Sequence, residues 1–366
     1  MQVCAISGGT GTIVAGDVTG VAVNCTNKYS IGGTVTGLAG TVYLQNNAGN
    51  DLMLNANGTF AFSTPLSSGA TYAVTVRTQP STPKQVCTLS NQTGTVATSH
   101  ITNIALNCVT SAYKVKATVS GLAAGASVVL QNNNADDLSI TSNGAFTFAT
   151  SVPSGQTYSV TVKTPPTSPS QTCTVTNGTG TISAADISNV TVACVTDKFT
   201  VGGSVAGLSG AGLVLQNNLG DNLSVNAPGG SFTFATKVTS GQPYSVTVKT
   251  QPTNPSQKCT VSAGTGTVTK GNVVTVTVNC VSMYTVGGAV SGLSGTGLVL
   301  QNNLGDDLTV NGDNSFAFAT PMASGQPYSV TVKTQPTNPD QTCTVDNGSG
   351  TVGGNVTNVT VTCVTN

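Results

Sequence analysis

Tyr244-Ser245-Val246-Thr247-Val248-Lys249, followed by Cys259-Thr260-Val261 and by Val276-Thr277-Val278-Asn279-Cys280, decides the fold. Apolar and polar residues alternate one for one, the period of a half-buried β-strand. Tyr244, Val246 and Val248 therefore share one face, and so do Val276, Val278 and Cys280. Working outward, Val201, Gly203 and Val205 share a face, as do Leu213 with Leu215, Leu223 with Val225, and Phe232 with Phe234. Turn residues punctuate these runs at Asn217-Asn218, Pro228-Gly229-Gly230, Ser240-Gly241 and Pro252 to Pro255. About seven short strands at this spacing predict a two-sheet sandwich.

The same stretch recurs along the chain. Cysteines stand at 4, 25, 87, 108, 173, 194, 259, 280, 343 and 363, in pairs 21 residues apart except for the last, which are 20 apart. Each unit opens on an aromatic (Tyr29, Tyr113, Phe199 or Tyr284) and runs through V-G-G-x-V, V-x-L-Q-N-N, F-x-F and S-G-x-x-Y-x-V-T-V to a Pro-rich turn and C-T-V…V-T-V-x-C. Agreement at so many independent positions identifies an array of repeats. The predicted units are 28–110, 111–196, 197–282 and 283–366, with residues 1–27 supplying only the last two strands of a preceding unit. Gln2-Val3-Cys4 aligns with Gln85-Val86-Cys87, so Met1 falls inside a Pro-rich turn rather than at a domain start.

Composition agrees with an all-β chain and excludes several functions. Of 366 residues 43 are Gly and 10 are Cys, there is no Trp and no Glu, and Arg77 is the only arginine. Helix formers are thus scarce, while Val and Thr abound. Net charge is zero and Lys is nowhere concentrated, which leaves no electrostatic footprint for nucleic acid or an anionic membrane. Apolar runs such as Leu213-Val214-Leu215 are too short to span a bilayer. Met1-Gln-Val-Cys-Ala lacks a basic start and an apolar core, so any signal peptide was removed or the chain is a piece of something longer.

Gly32-Gly33-Thr34-Val35, Asn57-Gly58-Thr59-Phe60-Ala61-Phe62, and Ser68-Gly69 followed by Tyr72-Ala73-Val74-Thr75-Val76 resemble bacterial tandem immunoglobulin-like repeats of the carboxypeptidase-regulatory-like or prealbumin type. The pattern returns in all four units, except that Lys116-Ala117 replaces Gly-Gly in the second. The resemblance implies spacer or stalk modules of surface and secreted proteins.

Few residues could carry chemistry. The cysteines contain no C-x-x-C and have only His100 to join them, so zinc is disfavoured. Cys173 shares a face with Val175, and Cys194 with Val192 and Val190, so antiparallel pairing brings the two sulfurs together inside. Each such loop stabilises by about 3 kcal/mol, and disulfides place the protein outside the cytoplasm. The segments Gln45-Asn46-Asn47, Gln131-Asn132-Asn133, Gln216-Asn217-Asn218 and Gln301-Asn302-Asn303 precede Asp51, Asp136-Asp137, Asp221 and Asp306-Asp307. Clustered oxygens of this kind suit a calcium loop, but Asn and Asp are also what hairpin turns select. The turn reading is favoured, because two units offer a single carboxylate there. Lys163, Lys249 and Lys333 fall in a slot that invites a Lys–Asn isopeptide crosslink. Alternation puts them on the solvent face, and Arg77 fills the same slot without being able to form that bond. His100 lies in the loop before the last strand of its unit, has no equivalent in the other three and reads as a surface histidine.

No general base stands beside a nucleophile, so neither catalysis nor a cofactor or metal is expected. The expectation is an exported structural array, a rigid stalk or filament shaft, because only three or four residues join one unit to the next. The alternative is an adhesin-type array whose loops contact glycans or a host protein. The partners expected are further repeats of a longer chain or copies assembling into filaments, with no nucleic acid and no membrane span. Non-reducing peptide mapping should return Cys4–Cys25, Cys87–Cys108, Cys173–Cys194, Cys259–Cys280 and Cys343–Cys363. Free thiols, or bridges joining different units, would contradict the assignment.

Overall fold

The computed structural model describes all residues from Met1 to Asn366, and every regular element in it is a β-strand. The chain forms two compact units, Met1–Pro166 with Gln171–Val195, and Thr167–Ser170 with Thr196–Asn366. Four separate apolar cores follow the four repeats. They centre on Leu44 and Leu106, on Leu130 and Val192, on Leu215 and Val278, and on Leu300 and Val361, all at most 1% exposed.

In the third repeat one sheet takes the order Gly230–Thr233, Val201–Ala206, Val273–Tyr284, Gln257–Ser262. The facing sheet takes the order Asp221–Val225, Leu213–Asn217, Pro243–Thr250, Thr265–Thr267. The other complete repeats use the same orders. Each sandwich thus has eight strands where the sequence predicts about seven. The extra one is the three-residue T-G-T strand, too short to show an alternation. Its glycine lies against the ring of the cross-strand tyrosine: a Cβ on Gly266 would come 2.8 Å from the Tyr244 ring, and one on Gly94 2.8 Å from Tyr72. The aromatic covers what the missing side chain leaves open.

Antiparallel pairing holds throughout the facing sheet, but the opening V-G-G-x-V strand runs parallel to the closing strand, with Gly203 opposite Val276 and Val205 opposite Val278. A Cβ on Gly203 would fall 1.7 Å from the Val276 carbonyl oxygen, so the parallel approach there depends on glycine. In the second repeat Ala117 pairs with Val190 in the same register, so the backbones there lie in an arrangement that admits a Cβ.

The closing strand also carries the disulfide. Cys259 stands directly opposite Cys280, as Cys87 does opposite Cys108 and Cys343 opposite Cys363. All ten cysteines are bonded in sequential pairs. The bond joins neighbours in one sheet, but its loop contains the T-G-T strand of the other sheet, so the closed ring wraps one edge of the sandwich. Two edge clamps were not legible in the sequence. Gln79 donates to the Cys87 carbonyl and accepts from the Cys87 N–H, at 2.9 and 2.7 Å, in place of a further strand. Gln251 and Gln335 do the same for Cys259 and Cys343. Buried Gln85, Gln257 and Gln341 tie the loop after the opening strand to the strand that bears the first cysteine.

Candidate functional site

The Q-N-N hairpin is the most elaborate polar feature of each repeat, and strand alternation divides its residues among three tasks. The first Asn (Asn46, Asn132, Asn217 or Asn302) is buried, and its Oδ1 accepts the N–H of Ala73, Ser159, Ser245 or Ser329 at 3.1 to 3.2 Å. The second Asn begins the turn in the left-handed region, followed by Ala48, Asn134, Leu219 or Leu304 in the same region. Two consecutive positive φ values give the turn the twist that a hairpin requires. Leu219 and Leu304, side chains that disfavour this conformation, stand 85% exposed at the turn tips.

The Gln faces solvent with the second acidic slot. Gln131 donates to Asp137 at 2.6 Å and Gln301 to Asp307 at 2.5 Å, and each carboxylate also pairs with a lysine, Lys163 or Lys333. The first repeat has Arg77 with Asp51 in this place, and the third has Asn222, which accepts from Gln216 at 2.7 Å. The lysine ammonium and then the glutamine amide hold the Asp137 and Asp307 carboxyls below the usual carboxylate range. A depressed folded-state value means that the pairing contributes in full above the ordinary carboxylate range and is lost as pH falls through the depressed value. Solvent screens these pairs, whose lysine and aspartate side chains are over 40% exposed, so they add little to stability.

The preceding acid points the other way. Asp136 accepts the Thr150 N–H at 2.7 Å, Asp221 that of Thr236 at 2.9 Å and Asp306 that of Thr320 at 3.2 Å. Adjacent acids of one strand thus serve opposite faces and do not converge on a common point. No three His, Cys, Asp or Glu side chains gather anywhere in the chain. What the arrangement leaves is a shallow cleft beside the hairpin. In the fourth repeat it is lined by Asn302, Asn303, Asp306, Thr320 and Met322, with a volume of about 330 Å³. The third repeat has a matching cleft between Asn217, Asn218, Asp221, Thr236 and Val238, of about 280 Å³.

His100 has counterparts that sequence reading missed. Its Nδ1 accepts the Ser30 N–H at 2.9 Å and contacts the Ser30 hydroxyl at 2.6 Å, and its ring meets Tyr29 edge-on. Asp186, Asn272 and Asn355 accept the N–H of Lys114, Thr200 and Thr285 in the same way. The slot requires a side-chain acceptor of any kind, which hides it from a search for identical residues. Lys114 N–H and Lys116 together hold the Asp186 carboxyl below its ordinary range. His100→Asn should leave thermal stability unchanged, whereas His100→Ala should cost about 1 kcal/mol. Equal melting curves for the two variants would contradict this role.

No family model matches the chain, and no curated protein matches it. Among solved structures, the Bacillus anthracis TIE protein is similar at 13% identity and a TM-score of 0.42, over 94% of this chain and 70% of that one. The pilus adhesin SpaC from Lactobacillus rhamnosus GG is similar at 11% identity and a TM-score of 0.35, over 89% of this chain and 54% of that one. Two B repeat units of the collagen binding protein of Staphylococcus aureus are similar at 13% identity and a TM-score of 0.20, over 93% of this chain and all of that one. At these values the likeness assigns neither a function nor a ligand to this chain.

Proposed function

We propose that this chain is the structural repeat region of an exported cell-surface or extracellular protein, a stalk or shaft without catalytic activity. One observation carries the reading. Strand Val273–Tyr284 belongs to the sheet of the third repeat, and its last residues, Met283 and Tyr284, pair with Ala323 and Met322 of the fourth. A strand that enters two sandwiches without a break leaves no flexible linker between them. Backbone bonds reinforce it: Met283 N–H donates to the Ser256 carbonyl and Ser324 N–H to the Ser282 carbonyl, each at 2.9 Å. Within the other unit, Ser111 bonds Lys84 and Ser154 bonds Ser111 in the same slots, and Lys84 N–H donates to the Ser154 hydroxyl at 2.9 Å. In this reading the folding units are 28–110, 111–196, 197–282 and 283–366, and the disulfide in each supports export.

Single-molecule extension tests the load-bearing role. Pulled by its ends, the chain should give four unfolding events, one per complete repeat. A reductant should lengthen each by about 7 nm, the reach of the 20 or 21 residues that a disulfide withholds. Extension without discrete events would contradict the reading.

The exposure of Leu219 and Leu304 beside matching clefts favours a second reading, an adhesin-type array. Saturable binding to a glycan or host-protein array, abolished by Leu219→Ser with Leu304→Ser, would establish it. Binding that survives the double change would count against these hairpins as the contact site.

A further inference from the structure

Five asparagines of the chain precede a glycine: Asn57, Asn143, Asn177, Asn311 and Asn347. A glycine nitrogen is unshielded by any side chain and can attack the amide carbon of the residue before it. The attack needs a free side-chain amide, a free backbone N–H and room for the turn to close. All five asparagines meet the sequence requirement, and the structure separates them.

Asn57 and Asn143 are held at both ends of the amide. The Oδ1 of each accepts the N–H of Leu38 or Leu122 at 2.8 Å, and each Nδ2 donates to the carbonyl of the same leucine at 2.9 Å. Asn177 and Asn347 take the left-handed conformation, with φ of 55° and 54°. There the following N–H points away from the residue's own side chain, and Nδ2 donates to the Asn189 or Asn358 carbonyl at 3.1 or 3.3 Å. Asn311 has none of these restraints. In the fourth repeat the anchoring task of Asn57 passes to Asp313, which accepts the N–H of Gly292 and Leu293 at 2.9 and 2.6 Å. Asn311 is exposed, its φ is not left-handed, and neither its side chain nor the Gly312 N–H has a hydrogen-bond partner. Nothing lies within 4 Å of a Cβ on Gly312, so the turn has room to move.

The geometry points to Asn311 as a modification site of the fourth repeat, converted by water to an isoaspartyl or aspartyl residue. The Gly312 nitrogen gives its proton to solvent base and bonds to Cγ of Asn311. The Cγ–Nδ2 bond then breaks, and ammonia leaves with a proton returned from solvent. Water opens the cyclic imide that results. Attack at Cγ gives aspartate, and attack at the former backbone carbonyl carbon gives isoaspartate, in which the main chain runs through Cβ and Cγ. No oxidant or reductant takes part. Either product adds a negative charge to a chain whose net charge is zero. The turn joins Asp306–Val310 and Ser315–Ala317, the edge strands of the two facing sheets, so the change falls at an open edge of the sandwich between buried Val310 and Phe316.

The test incubates the full oxidised chain at mildly alkaline pH and maps its peptides by mass spectrometry over time. Asn311 should convert first, about tenfold or more faster than Asn57 or Asn143, whose amides must first give up two hydrogen bonds. Heavy-oxygen water should label the new carboxyl group. Asn311→Gln sits in open solvent, so its melting should equal that of the parent, and the fast-forming acidic species should vanish from charge separation. In the reduced, urea-unfolded chain the five rates should converge. Equal rates in the folded chain, another of the five converting first, an unlabelled product, the same rank order after unfolding, or a fast phase that survives Asn311→Gln would each overturn the proposal.

Discussion

The closing strand of each complete repeat sits between two neighbours of opposite sense. In the third repeat Val273–Tyr284 has the Cys259 strand antiparallel on one side and the V-G-G-x-V strand parallel on the other. Val276 and Val278 on its inner face are fully buried, and Cys280 beside them closes the disulfide. Cystine, core and both ladders therefore converge on one strand. A repeat of some 85 residues buries a modest core, and a staple on this strand acts where the most contacts depend on one backbone. The disulfide stabilises chiefly by restricting the unfolded chain, so its contribution adds to that of the core.

The same strand accounts for the order of the array. In the third repeat its inner half belongs to one sandwich, and its last residues, Met283 and Tyr284, meet Ala323 and Met322 of the fourth. Orientation between the third and fourth repeats is then set by a β-ladder and not by the conformational freedom of a loop. Residues 1–27 make the point from the other side. Ala22–Tyr29 reaches the first complete repeat through Lys28 and Tyr29, which pair with Ser67 and Leu66.

The polar residues serve this frame. Asn46 and its counterparts satisfy buried N–H groups, Gln79 and its counterparts stand in for an absent strand, and His100, Asp186, Asn272 and Asn355 fill one acceptor slot with three residue types. A buried or half-buried N–H left unpaired costs more than a bond contributes when formed. That asymmetry explains why such slots keep their acceptor while the identity of the residue drifts. The Asp–Lys pairs on the outer face are screened by water and vary freely, with Arg77 in one repeat and Asn222 in another.

Sequence by itself determined the all-β class, the tandem repetition and the faces of the strands. Each of these rests on local periodicity or on spacing that recurs, and period two fixes which side chains turn inward, as for Val246 and Val278. It also placed Lys163 and Lys333 on the solvent side, where they lie. Only the tertiary structure decided that the opening strand runs parallel to the closing one, that T-G-T is a strand beneath a tyrosine ring, and that the two neighbouring acids of a hairpin serve opposite tasks. These depend on contacts between residues some 20 to 75 positions apart, such as Gly203 with Val276 or Tyr244 with Gly266, as the ladder registers record. Strand periodicity carries no information about the sense of a neighbour, because parallel and antiparallel ladders bury the same alternate side chains.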